Sequence, residues 1–333
     1  MNGPSARPRV GFLGVGWIGR HRMQGIVDTG LVDVAAVADP SPEMAAEAAK
    51  LAPTAFVGTT LEDVLAQSLD GLVIATPSAL HADQAIAALN AGVSVFCQKP
   101  LGRSGAEVRG VIDAARKADR LLGVDFSYRF TAGVEAIRDI VRGGALGDIR
   151  AVDLTFHNAY GPDKPWFYDR QLSGGGCLID LGVHLIDLAL WVLDFPEVHD
   201  VSGHLLSNGK RLQAGDQAVE DYAVASFRLG DNTIVRIACS WRLPAGQEAV
   251  IAASFYGAQG GAELRSVGGS FYDFTAMRFR GTTREVLVSP PDEWGVRAAQ
   301  DWAQRLAAGG RFDPQAERIV DVSAVLDRIY GIA

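Results

Sequence analysis

Between Arg7 and Ser127 the chain alternates short, β-branched apolar runs with stretches whose alanines and leucines recur at three- and four-residue spacing. The runs at Val10–Leu13, Val32–Ala38, Phe56–Val57, Leu72–Ala75, Val93–Cys97 and Leu121–Val124 are bounded by Gly, Pro or Asp and predict buried strands. The stretches Pro42–Leu51 and Leu80–Leu89 predict helices that each cover a sheet face, the second ended by Gly92. Strands and helices in alternation imply parallel strands joined by crossover helices, which is an α/β domain.

After Arg129 the pattern changes. A helical stretch at Gly133–Arg142 leads into an alternating strand at Ile149–Phe156. Further strands are expected at Val198–Leu206, Tyr222–Arg228, Thr233–Trp241, Ala249–Tyr256 and Glu285–Val288, separated by turn residues such as Gly230-Asp231-Asn232. Short links between successive strands predict a mainly antiparallel sheet. One long helix is expected at Leu178–Leu193, and two more at Trp294–Ala308 and Pro314–Ile329. The chain therefore divides into an N-terminal α/β domain, residues 1–127, and a C-terminal α+β domain, residues 128–333, with a large open sheet.

Composition narrows the class. A chain of 333 residues is long enough for two domains, and 48% hydrophobic with 21% charged residues excludes a disordered or fibrous protein. A net charge of −8 without a long basic run argues against nucleic acid as a partner. No apolar stretch reaches the roughly 18 residues of a membrane span, and Met1–Arg9 lacks the apolar core of a signal peptide, so a soluble, cytoplasmic protein with no membrane partner is expected. Cys97, Cys177 and Cys239 lie far apart, which fits reducing surroundings rather than a disulfide framework or a zinc site.

Gly14-Val15-Gly16-Trp17-Ile18-Gly19 follows the first strand and opens a helix. In such a turn the first glycine permits the bend, the second lets a pyrophosphate approach the backbone, and the third allows close helix packing. The helix N-terminus then faces an anion. Asp39 stands 20 residues beyond Gly19, at the end of the second strand, where a carboxylate accepts hydrogen bonds from the adenosine ribose; capping the next helix is its alternative use. These features predict a Rossmann dinucleotide-binding domain. A 2′-phosphate would set about two negative charges beside Asp39. Pro40-Ser41-Pro42 offers no cation and Glu43 adds a further negative charge, so NAD is expected rather than NADP.

Three more motifs follow in order: Ala75-Thr76-Pro77-Ser78-Ala79-Leu80-His81, Gln98-Lys99-Pro100-Leu101, and Gly174-Gly175-Gly176-Cys177-Leu178-Ile179-Asp180-Leu181-Gly182-Val183-His184-Leu185-Ile186-Asp187. With the glycine turn they make nearly the whole chain resemble the glucose-fructose oxidoreductase, inositol dehydrogenase and MocA (Gfo/Idh/MocA) family. The resemblance implies a nicotinamide dinucleotide in the N-terminal domain and a sugar-like alcohol or ketone presented from the C-terminal sheet. Lys99 matches the family's Glu-Lys-Pro motif, while Asp180 and His184 match its Asp-X-X-X-His motif. Thr76, Pro77 and His81 match the cofactor-edge segment, with Gln98 and Lys99 beside it. Arg129 is implied to contact cofactor or substrate, an interdomain ion pair being the alternative.

Elementary chemistry agrees. Asp180 and His184, four apart on an expected helix, share a face at about 6 Å, and Lys99 follows the fifth strand at its carboxyl end, where open parallel sheets bind ligands. An imidazole titrates near neutral pH, which suits His184 as the base that takes a hydroxyl proton during hydride transfer. The Lys99 ammonium would stabilise the developing alkoxide and Asp180 would hold Lys99 or the substrate; exchanging the roles of Lys99 and His184 is the alternative. No third ligand accompanies Asp180 and His184, so no metal is expected. Gln98 departs from the family's Glu, keeping an acceptor but removing a charge beside Lys99. His157 and Asn158 end a strand, and Tyr160 and Trp166 follow in a loop; such groups suit the apolar faces and hydroxyls of a sugar.

The sequence thus reads as an NAD-dependent oxidoreductase acting on a secondary alcohol of a sugar, cyclitol or related polyol. Two alternatives stand beside it, a glycoside-cleaving enzyme that oxidises its sugar transiently and a non-catalytic dinucleotide-sensing protein on the same fold. Helices are scarce after residue 128, so a homodimer or homotetramer formed through the second sheet is expected.

Overall fold

The structure is a computed structural model that describes residues 7–213 and 215–332. In chain order the elements are β1 (Arg9–Leu13), α1 (Trp17–Asp28), β2 (Asp33–Ala38), α2 (Pro42–Ala49), β3 (Phe56–Gly58), α3 (Leu61–Leu65), β4 (Gly71–Ile74), α4 (Ser78–Asn90), β5 (Ser94–Cys97), α5 (Gly105–Ala118) and β6 (Leu122–Val124). Then come α6 (Ala132–Arg142), β7 (Ile149–Asn158), α7 (Arg170–Ser173), α8 (Val183–Val192), β8 (Val198–Ser207), β9 (Lys210–Arg211), β10 (Tyr222–Leu229), β11 (Thr233–Ser240), β12 (Ala249–Gly257), β13 (Gly261–Ser266), β14 (Phe274–Arg280), β15 (Thr283–Val288), α9 (Arg297–Ala307) and α10 (Ile319–Tyr330).

These elements form two compact units. The first comprises the residues through Gly102, Ala106–Asp125 and Val296–Glu317; the second comprises Arg103–Gly105, Phe126–Gly295 and the residues from Arg318 onward. This differs from consecutive blocks 1–127 and 128–333, because α9 returns to the first unit and packs on α1, β5 and β6. The reason is steric. Trp302 of α9 seats where Gly71 and Gly123 lack side chains, and a Cβ at either glycine would lie 2.7 or 2.9 Å from its indole. An amphipathic pattern marks a buried face without recording which sheet receives it.

In the first unit six parallel strands run in the order β3-β2-β1-β4-β5-β6, a doubly wound dinucleotide sheet. Val10, Phe12, Leu72, Ile74 and Val95 are buried between its helical layers. The strand order reverses between β1 and β4, and the turns after β1, β4 and β5 leave the sheet at that same carboxyl edge. The short helix α3 was not apparent from periodicity, since five residues are too few. Its start carries a capping box in which Thr60 and Asp63 satisfy each other's backbone amides.

The second unit is built on a nine-stranded sheet, β15-β14-β13-β12-β7-β11-β10-β8-β9. It is antiparallel except where β7 and β11 pair in parallel. Helices α6, α8 and α10 pack on one face. The strands β13 and β14 escaped the sequence pattern because polar residues such as Glu263 and Arg265 interrupt them. The expected helix at Leu178–Leu193 resolves into a π-helical turn, Leu178–Gly182, that runs into α8. The helical run Arg170–Val192 is long and apolar enough to cross a membrane, yet its apolar window is 89% buried within the protein, as in a core helix. On the opposite sheet face Arg236 pairs with Asp153 at 2.6 Å, and Ser254 donates to Glu263 at 2.9 Å.

Candidate active site

In the first unit β1 ends at Leu13 and Gly14 bends the chain with φ of +80°, so close to the next turn that a Cβ would lie 2.6 Å from the Ala75 carbonyl. Gly19 presses on the Gly14 carbonyl in the same way, where a Cβ would come within 2.0 Å. At Gly16 no atom of the described residues lies within 4 Å of that position, and Gly16 precedes α1 without a side-chain cap. The turn therefore leaves an open approach to backbone amides at a helix N-terminus, which fits a pyrophosphate. Trp17 is exposed and stacks on His21, with the half-buried Ile18 beside it.

Asp39 directly follows β2 and accepts from the Val15 amide at 2.8 Å and the Ser41 amide at 2.9 Å. Its helix-capping alternative is not used, because the Ser41 hydroxyl caps α2 by accepting from Met44. A carboxylate has about four acceptor sites, so capacity remains for ribose hydroxyls. Arg20 extends from α1 to α2, its Nη1 lying 3.4 Å from Met44 Sδ. That cation near the start of α2 is invisible in the linear segment Pro40-Ser41-Pro42.

At the ends of β4 and β5 the imidazole of His81 lies 2.7 Å from both the Thr76 and the Pro100 carbonyl oxygens. It is buried, and burial holds its imidazole below the usual histidine range while the two carbonyls pull the other way. His81 thus braces the Thr76 turn against the Lys99-Pro100 turn from beneath. Thr76 donates its hydroxyl to Gln84 at 2.6 Å, and Pro77 is the N-cap residue of α4.

Gln98 is buried and donates from Nε2 to Asp125 Oδ2 at 2.5 Å. Arg22 Nε donates to the same oxygen at 2.5 Å, and its Nη1 lies 2.8 Å from His21 Nδ1. A guanidinium only donates, so His21 Nδ1 accepts there. Burial, and then the Arg22 charge, holds the His21 imidazole below its ordinary range. The residue before Lys99 is thereby clamped to a buried carboxylate. Lys99 itself follows, half-buried, at the carboxyl end of β5.

In the second unit the turn Gly174–Gly176 leads to Asp180. Gly176 and Leu178 donate their amides to Glu220 Oε1 at 2.8 and 2.9 Å, and Cys177 donates to the Glu220 carbonyl at 2.9 Å. Tyr330 donates its hydroxyl to the same Oε1 at 2.7 Å and accepts from the Ile179 amide at 3.2 Å. A Cβ at Gly175 would lie 2.2 Å from the Tyr330 hydroxyl, and one at Gly176 would lie 1.9 Å from the Glu220 carbonyl. The close approach these glycines allow is to the protein itself.

Asp180 sits in the π-helical turn and His184 in the first turn of α8. Trp241 Nε1 donates to Asp180 Oδ2 at 3.1 Å. The Tyr128 ring meets the His184 ring edge-on at 4.9 Å and packs among Phe156, Phe274 and Trp294. Burial, aided by the nearby Tyr272 and Asp180, pushes the Tyr128 phenol well above its usual range.

Known proteins show the same combination. Residues 8–126 match the model of an oxidoreductase family with an NAD-binding Rossmann fold, and residues 134–263 match the GFO/IDH/MocA C-terminal domain. The chain belongs to the Gfo/Idh/MocA family. Its relatives include D-glucoside 3-dehydrogenase of Escherichia coli (strain K12), 30% identical over 60% of each chain. Inositol 2-dehydrogenase of Rhizobium meliloti (strain 1021) is 31% identical over 56% of this chain and 54% of that one. The chain thus spans little more than half the length of these curated relatives. A levoglucosan dehydrogenase solved with NADH and levoglucosan shares the fold, with a TM-score of 0.82 at 23% identity over 98% of this chain and 97% of that one. The first unit is the family's NAD-binding domain.

Five further candidate residues of this Gfo/Idh/MocA protein, Arg129, His157, Asn158, Tyr160 and Trp166, have their partners within the second unit. Arg129 grips the buried Asp187 through two hydrogen bonds, one of 2.8 Å, and lies over Phe126, Trp191 and Phe195. Both partners belong to the second unit, so this ion pair is made within it. Burial pushes the Asp187 carboxyl up, with Arg129 opposing. His157 is separated from His184 by strand alternation: Phe156 faces Tyr128, whereas His157 lies on the other sheet face, bonded to Ser240 at 2.8 Å and stacked on Tyr222. Asn158 accepts from the Tyr160 amide at 2.7 Å, and Tyr160 is exposed with its hydroxyl donated to Glu248. Trp166 lies flat on Phe167, and it is Phe167 and Tyr168 that touch Trp241.

The residues missed from sequence are Trp241, Asp125, Glu220 and Tyr330. Only Trp241, an indole at a strand end, carried a local signal; the others act across long sequence separations. Among the described residues, no three of His, Cys, Asp and Glu gather as a metal ligand set, and all three cysteines are buried and free.

Proposed function

We propose that this protein is an NAD-dependent oxidoreductase that moves a hydride between nicotinamide and a secondary alcohol of a sugar, cyclitol or related polyol. The observation that carries the reading is the carboxyl edge of the first sheet, where the open Gly14–Gly19 turn, the Thr76-Pro77 turn and Lys99 all leave adjoining strands. Gly14, Gly16, Gly19 and Asp39 would hold the dinucleotide, with Asp39 favouring NAD over NADP. Bound NAD supplies the hydride acceptor.

The chain's own groups handle the proton and the charge. His184 takes the hydroxyl proton as the carbon is oxidised, and the Lys99 ammonium stabilises the alkoxide oxygen until the carbonyl forms. Asp180, held by the Trp241 indole, orients the substrate hydroxyl. The names of the glucoside and inositol dehydrogenases support the substrate class. We further assign the chain to the cytoplasm, as a homodimer or homotetramer formed through the outer face of the second sheet.

A panel of sugars and polyols offered with NAD and with NADP tests this through the absorbance of the reduced nicotinamide. Net NADH formation, lost in Lys99→Ala and His184→Ala, is expected. Aglycone release without net NADH would replace the reading with transient oxidation and elimination, and no turnover of any substrate would end it.

A further inference from the structure

The structure assigns to Glu220 and Tyr330 the positioning of the segment that bears Asp180 and His184. The first amides of a helix have no partner within it and are ordinarily satisfied by a Ser, Thr, Asp or Asn side chain just before the first turn. Three glycines precede this helix, and glycines have no side chain to offer. Each amide from Gly176 to Ile179 ends instead on Glu220 or on the Tyr330 hydroxyl, acceptors that lie as much as 44 and 151 positions away from the amides they satisfy. Asp180 follows directly and begins the helical ladder by donating to the Gly176 carbonyl at 3.1 Å.

The fit leaves little freedom. Glu220 is 0% exposed, and its Oε1 alone collects two amides and the phenol, while among the described residues the buried Oε2 has no hydrogen-bond partner. Tyr330 is buried as well, with Arg170 stacked over its ring. Both glycine contacts on this pair are too close for any side chain. The turn before Asp180 therefore has one seat, and two residues define it.

This inference rests on the proposed reaction only for its kinetic consequence. Tyr330→Phe keeps the ring and removes one hydroxyl, and Glu220→Gln keeps an accepting oxygen, so both variants preserve the packing. Amide hydrogen exchange of the 176–180 segment, read by mass spectrometry, tests the latch without turnover: Tyr330→Phe should accelerate it and Glu220→Gln should largely preserve it. In the polyol assay Tyr330→Phe should lower kcat on the order of tenfold, because a small misplacement of reacting groups is costly, with KM for NAD unchanged. Unchanged exchange in Tyr330→Phe would overturn the latch, and faster exchange with unaltered kcat would reduce the pair to a structural cap. If the wild-type protein oxidises no polyol, the proposed function fails while the exchange result still decides whether these two residues hold the segment.

Discussion

Replacing Gln98 with Glu would restore the family's usual residue, yet here it should destabilise the protein in a pH-dependent way. Gln98 Nε2 lies 2.5 Å from Asp125 Oδ2, and the two side chains are 8% and 1% exposed. A second carboxylate in that place, about 4 Å from the first at an effective dielectric of about 20, is repelled by about 4 kcal/mol, equivalent to about three pKa units. Arg22, already bonded to Asp125, offsets part of this. The folded variant would then keep one proton shared by the two carboxyls to near neutral pH, whereas an unfolded Glu releases its proton near pH 4.3 or about there.

The folded state therefore binds the extra proton between those limits, and the variant loses stability relative to wild type as pH rises through them. Thermal unfolding at pH 5 and pH 8 is the assay: the Tm deficit should be small at the lower pH and several degrees at the higher. Adding Asp125→Asn to Gln98→Glu returns one carboxylate and one amide to the contact, still facing Arg22, and should recover most of the loss. A variant as stable as wild type at pH 8, or a deficit that Asp125→Asn leaves untouched, would refute the reasoning.

Asp39→Ser should weaken NAD binding about tenfold, since a charge-assisted pair of ribose hydrogen bonds is lost. With Arg20 of α1 already reaching Met44 of α2, the same variant should gain affinity for NADP, and isothermal titration showing no change in the NAD to NADP ratio would count against Asp39 as the ribose ligand. Burial holds the imidazoles of His81, His157 and His21 below the usual range, with hydrogen bonds opposing at His81. The unfolded chain binds these protons near pH 6.5 and the folded chain only below it, so stability should fall as pH drops through about 6.5. The raised carboxyls of Asp187 and Glu220 act in the opposite sense, from about pH 4 upward. A Tm that stays flat between pH 8 and pH 6 would contradict the histidine contribution.

What sequence made legible was local. The six strands of the first sheet, the glycine turn and Asp39 were visible because each is a short run with its own pattern, and the observed ranges differ from the expected ones only at their ends. Residues that act across distance were not visible. Nothing near Gly174 announces that its neighbours' amides will be taken by Glu220 and Tyr330, and nothing near Gln98 announces Asp125. Arg129 and His157 show the converse, since residue type and motif position suggested a ligand while an ion pair and a strand's two-residue alternation fixed where their side chains go.

The return of α9 to the first unit bears on how the protein is made. A ribosome releases the nucleotide-binding strands first, but the indole that fills the gap over Gly71 and Gly123 comes from Trp302, which follows the whole of the second unit's sheet in the chain. While strands β7 to β15 are being made, the nascent sheet lacks that indole, so the first unit is expected to compact fully only after α9 has left the ribosome. A gene fragment ending after β6 would express a nucleotide domain with that seat bare, whereas grafting residues 296–317 onto it through a short linker would close the sheet.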